Sequence, residues 1–77
     1  MELNKFIILF SEQFDDTSSD QFKPETVFKS LEEWGSLTAL SIIAMIDEEF
    51  EIRITGSDIR SSNSIEDLFN LIISKQS

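Results

Sequence analysis

Ser36-Leu37-Thr38-Ala39-Leu40-Ser41-Ile42-Ile43-Ala44-Met45-Ile46-Asp47-Glu48-Glu49-Phe50 is the stretch on which the fold turns. Leu37, Leu40, Ile43, Ile46, Asp47 and Phe50 trace a helical period, and Ile42 and Ala44 broaden its apolar side. The spacing predicts one amphipathic helix that starts after Ser36, which itself follows Gly35. Downstream, Gly56 is expected to break the chain.

Working toward the N-terminus, Leu3, Phe6, Ile7, Phe10 and Phe14 recur at three- and four-residue steps, with Ile8 and Leu9 widening the stripe. They predict a helix over residues 2–14. Residues 15–24 are turn-formers that end in the one proline and read as a solvated acidic loop. That loop is no EF-hand: counted from Asp15, its sixth residue is Asp20 rather than Gly and its twelfth is Thr26 rather than Glu. Pro24 to Leu31 suits a short helical turn with Val27, Phe28 and Leu31 facing inward, and Ser30 with Glu33 has the spacing of a capping box. Toward the C-terminus, Asp58 and Ile59 suit a single turn, followed by the polar joint Ser61-Ser62-Asn63-Ser64. Ser64-Ile65-Glu66-Asp67 reads as a helix start, a hydroxyl cap followed by acids where the dipole favours them. Ile65, Leu68, Phe69 and Ile72 give that last helix its buried stripe, and Lys75 lies in its final turn. The expected fold is all-α: one domain over residues 1–77, a small four-helix bundle of three main helices and a short third one.

Composition narrows the chemistry. Seventy-seven residues, 40% of them hydrophobic, enclose one small core. There is no Cys and no His, which excludes thiol nucleophiles, disulfides, zinc fingers and Ser-His-Asp triads. Six Lys and Arg against 15 Asp and Glu give a net charge of −9, unfavourable for nucleic acid and favourable for a basic protein patch. Catalysis would fall to carboxylates, Lys or Ser; neighbours such as Glu48 and Glu49 point to different sides of a helix, and a bundle this small has little room for an enclosed pocket. The expectation is a non-enzyme. Phe6-Ile7-Ile8-Leu9-Phe10 is too short to span a bilayer or to form a signal-peptide core, and Ser11-Glu12-Gln13 follows it where small residues would mark a cleavage site. No membrane insertion is expected, and a reducing cytoplasmic location fits.

Ser36 stands out, because a hydroxyl at the start of the best helix meets unpaired N–H groups and a partial positive charge that favour a bound or covalent phosphate. An ordinary N-cap serine is the competing reading, although Ala39 occupies the place where an acid would complete a capping box.

From Phe28 to Ile72 the chain resembles the acyl carrier protein family. Trp34-Gly35-Ser36-Leu37 is similar to that family's Asp-Ser-Leu attachment motif. Leu40, Ile43, Ile46, Asp47-Glu48-Glu49-Phe50, Ile52 and Ile54 match the helix and strand-like tail that follow it, and Ile65-Glu66-Asp67-Leu68 resembles the start of the family's last helix. The register holds without a gap from Ser36 to Phe50. The resemblance implies that Ser36 carries 4′-phosphopantetheine, transferred from coenzyme A by a phosphopantetheinyl transferase, and that acyl or aminoacyl groups ride on its thiol as thioesters. Such carriers serve fatty acid, polyketide or specialised lipid biosynthesis. A cysteine-free protein would thus borrow its thiol, and its acidity would steer fast, weak docking on enzymes with basic patches.

Leu37, Ser41, Met45 and Glu48 follow at steps of four, four and three, which predicts a docking stripe with Leu37 and Met45 as exposed apolar anchors and Asp47 and Glu48 as charged contacts. Membership of the core is the other reading of Leu37 and of Met45. Two positions depart from the family pattern: Gly35 stands where Asp is usual, and Ser41 where an acid is common. Glycines upstream of the serine are frequent in peptidyl carriers, and Trp34 resembles carriers of specialised bacterial pathways. Phe6, Phe28, Leu40, Ile46, Phe50, Ile59 and Phe69 would surround a sheltered acyl chain, and the seven Phe either line such a cavity or fill it. The expected protein is a monomeric discrete carrier. The alternatives are an unmodified carrier-like interaction module and a dedicated aminoacyl carrier.

Overall fold

In the computed structural model, which describes residues 2–76, the predicted central helix forms, but it begins one residue earlier than expected, with Gly35 rather than Ser36 at the N-cap. We label the helices α1 (Leu3–Ser11), α2 (Ser36–Phe50), α3 (Gly56–Ser61) and α4 (Ile65–Gln76), with 3-10 turns at Ser19–Gln21 and Phe28–Ser30. No strand occurs among the described residues, so the protein is a small all-helical bundle of four helices. Helix α1 packs on both α2 and α4, and α3 packs on α4.

Burial of one face explains each long helix. Phe6 and Phe10 of α1, Ile42, Met45, Ile46 and Phe50 of α2, Ile59 of α3 and Ile65, Leu68 and Ile72 of α4 form a single apolar cluster. Phe6 is its hub, with ring centroids 6.0 Å from Phe10, 5.8 Å from Phe50 and 5.6 Å from Phe69. Phe10 extends the network to Phe14, Phe22 and Phe28 at 5.6, 6.2 and 5.5 Å. Offset and edge-on aromatic pairs at such separations add to the gain from burial itself.

Several local expectations are corrected. Helix α1 stops at Ser11 instead of residue 14: Ser11 Oγ donates to Ile8 O, Gln13 Nε2 donates to Leu9 O, and two tight turns carry Phe14 into the core without further helix. Side chains that satisfy the last carbonyls in this way end a helix early. Ile8 faces solvent at 59% exposure, and Val27, expected inside, is also exposed. The Ser30–Glu33 box does not form, because Ser30 Oγ donates to Val27 O and Glu33 is engaged elsewhere. Gly56 does not break the chain; it opens α3, whose N-cap Thr55 exchanges hydrogen bonds with Asp58 in a complete capping box. The Ser64 cap forms as expected, and Asp67 returns its carboxylate to the Ser64 N–H to close a second box. The strand-like tail is an irregular segment, with Ile54 buried and Ile52 half-buried.

Helix α2 is terminated less well. Gly35 is its N-cap, no side chain caps its first turn, and no acid lies there. At its other end Asp47, Glu48 and Glu49 crowd the negative pole of the helix with no base in the last turn, and Glu51 adopts the left-handed conformation at φ 57° and ψ 37°. Its hold on the bundle is its apolar face.

Removing the hub ring tests this account. Phe6→Ala should cost about 3–5 kcal/mol, comparable to the roughly 3–5 kcal/mol that a core of this size supplies. The variant should lose its cooperative urea transition at room temperature, followed by circular dichroism. Ile8→Ala, two residues away on the wet face, should stay within about 0.5 kcal/mol of the parent.

Candidate functional site

The α2 N-terminus brings an accessible hydroxyl and open backbone donors together beside a cleft with basic lining. Ser36 is the first residue of α2 and is exposed. Ser11, Ser30, Ser61, Ser62 and Ser74 each turn their hydroxyl back to a carbonyl three or four residues earlier. Ser36 makes no such bond among the described residues, and its Oγ is left to solvent. Because Gly35 contributes no capping side chain, the first-turn N–H groups of α2 face outward without a protein acceptor of that kind. A Cβ built on Gly35 would meet nothing within 4 Å, and its φ of −172° suits any residue, so packing does not require glycine here.

A cleft of about 370 Å³ opens beside Ser36, walled by Trp34, Ala39 and Ile59 and bordered by Gly35 and Gly56. Lys29 and Arg60 stand at its rim. Lys29 Nζ donates to Arg60 O at 2.8 Å and lies 5.8 Å from the Phe28 ring centroid, while Trp34 packs edge-on against Phe28 at 5.0 Å. Two of the six basic residues of a chain with net charge −9 therefore line the same cleft as the first residue of α2. Sequence reasoning missed both, because they belong to separate elements that meet only through tertiary packing. The one hint was their charge, two bases in a strongly acidic chain.

The expected docking residues divide. Leu37 is exposed as predicted, at 79%, and Asp47 and Glu48 lie in solvent, while Ser41 is half-buried. Met45 is corrected: it is 5% exposed and belongs to the core. Each residue advances about 100° around a helix, so two steps of four carry Met45 roughly 80° away from Leu37 and toward the packed side. Leu40 is the converse error, placed in the core by spacing and 61% exposed in fact. The outer stripe of α2 is Leu37, Leu40 and Ala44, leading from Ser36 at one end to Asp47 and Glu48 at the other.

Glu33 organises the approach to this site. Its Oε2 accepts the Asp15 N–H at 3.1 Å, and its Oε1 accepts the Asp16 N–H at 2.9 Å and the Thr17 hydroxyl. Its backbone O accepts the Thr38 hydroxyl at 2.8 Å. The loop after α1 and the first turn of α2 are thus both tied to Glu33. The Thr17 hydroxyl above all holds the Glu33 carboxyl below its ordinary range; desolvation opposes it, and the loop N–H groups of Asp16, Asp15 and Thr17 add to the lowering. Among the described residues no cluster of acidic side chains is arranged to hold a metal ion, and no helix is long and apolar enough to cross a membrane.

Compared with protein-family models, with curated proteins and with solved structures, the chain matches none. The functional reading therefore rests on the residues themselves.

The Glu33 clamp predicts a pH signature. A group whose folded pKa is depressed stabilises the fold above its unfolded value, and that contribution disappears as pH falls through the folded value. The protection factors of the Asp15 and Asp16 amides, their exchange rates corrected for the intrinsic pH dependence, should therefore fall once pH drops below the usual glutamate range of about 4.3. In Glu33→Gln the protection should be low throughout, with no such step.

Proposed function

We propose that this protein is a discrete, non-catalytic carrier whose Ser36 bears a covalent 4′-phosphopantetheine arm. The single observation that carries the reading is the state of Ser36: exposed, with no hydroxyl hydrogen bond among the described residues, and set at a helix N-terminus without a side-chain cap, on a cleft that Lys29 and Arg60 also line. When bound, the arm supplies a thiol on which acyl or aminoacyl groups are held as thioesters.

The protein's own residues fit that group. The hydroxyl is reachable by a transferase, which would take its proton as the phosphodiester forms and the nucleotide half of coenzyme A leaves. The first-turn N–H groups, Lys29 and Arg60 would offset the charge of the phosphodiester. Gly35 leaves the approach unobstructed, since nothing crowds the position of its absent Cβ. Leu37 and Leu40 offer apolar contact beside the serine, and Asp47 and Glu48 offer charge to a basic patch on an acyl-loading or acyl-using enzyme. The acids at the negative end of α2 cost helix stability, so their presence is consistent with use at an interface.

A second reading has its own support. The Leu37, Leu40 and Ala44 stripe with its acidic end needs no modification to bind a partner, so an interaction module with a bare serine would present the same face.

Co-expression with a phosphopantetheinyl transferase should raise the intact mass by one prosthetic group, and Ser36→Ala should stay at the apo mass. If the parent also stays at the apo mass, with the transferase shown active on another carrier, the carrier reading fails. For the interaction module, Ser36→Ala should leave partner binding intact while Glu48→Lys weakens it.

A further inference from the structure

The sequence leaves open whether the aromatic residues line an interior cavity or occupy it, and the ring geometry answers for this chain. Of the residues expected to surround a sheltered chain, Phe6, Phe28 and Ile46 are fully buried, while Leu40 faces solvent. Phe6 is in contact with Phe50 and Phe69, and Phe28 is in contact with Phe10 and Trp34. Rings that would have to part to admit an alkyl chain are thus already packed on one another. Trp34 walls the cleft that borders Ser36, and the buried Phe28 packs edge-on against it.

Admitting a chain would separate these edge contacts and displace side chains from a close-packed interior, which protein cores resist. A long alkyl group that stays outside would instead leave a large apolar surface in water, which drives association. A short or polar group meets neither difficulty, and the cleft beside Ser36 is at the small end of the range for ligand sites.

We infer that the group carried on Ser36 is a short or polar acyl or aminoacyl unit that rides outside the bundle, because aromatic side chains already fill the interior. This inference rests on the carrier reading of Ser36 and names the class of its load.

The test bypasses the transferase. The chain has no cysteine, so Ser36→Cys in the 77-residue chain takes a single thiol-reactive arm. Iodoacetamide and its N-hexyl and N-dodecyl derivatives give three lengths. Melting temperatures should agree to within about 1 °C across the monomeric forms, since a chain that does not enter the native state does not stabilise it. Aromatic NMR shifts should change only around Trp34 and not at Phe6 or Phe50. Self-association of the dodecyl form would also support the inference, because it reports an alkyl chain left in water. A melting temperature that climbs by several degrees with length, together with shifts at Phe6 and Phe50, would overturn it. Absence of a mass gain with the transferase would instead overturn the carrier reading, and the alkyl series reads the interior independently of that result.

Discussion

The burial of one face of α2 against α1 is the constraint on which the rest depends. Ile42, Ile46 and Phe50 enter a core whose hub is Phe6, and α2 has few other means of staying in place. Its first turn lacks a capping side chain and its last turn is loaded with acids, whereas α3 and α4 each begin with a closed hydroxyl–carboxylate box. Helix ends of the better kind contribute about 1 kcal/mol each. That contribution is missing from the helix that bears Ser36. Helix α1 also starts without a side-chain cap, but α2 in addition carries acids at its negative pole, and that local conflict marks it as shaped by something other than stability.

Much of the fold was legible because its signals are local. The period of Phe6 and Phe10, the start of α2 to within one residue and the Ser64 cap depend on residues within a few positions of one another. Thr55 and Asp58 carry an equally local signal, a capping box, but Gly56 between them drew attention as a breaker. What could not be read locally was the direction of each face. Leu40 lies on the outer stripe and Met45 on the packed side, both are apolar, and only the placement of the rest of the bundle decides which of them is covered. Spacing alone inverted the pair.

The candidate site shows the same division. The exposure of Ser36 and Leu37 follows from their place at the start of an amphipathic helix. The companions of Ser36 do not. Lys29 and Arg60 are joined by a bond between residues 31 positions apart, and Glu33 reaches 16 to 18 positions back to organise the loop after α1. Such partners are brought together by the chain's path, and no short motif announces them. Glu33 was placed in a local box with Ser30 because that was its nearest plausible partner, yet three donors on the distant loop outweigh one.

Glu51 shows how much can hang on a single pair of dihedral angles. Its left-handed backbone turns the chain sharply out of α2 and sends Ile52 and Ile54 back toward the core before α3 begins. Helix α3 in turn supplies Ile59 and Arg60 to the cleft beside Ser36. The corner therefore aims one wall of the pocket, although it touches nothing in it. Neutral drift at position 51 would be confined to residues that tolerate this twist, chiefly glycine and asparagine, and a β-branched intruder would re-aim the wall without altering a single atom of the serine.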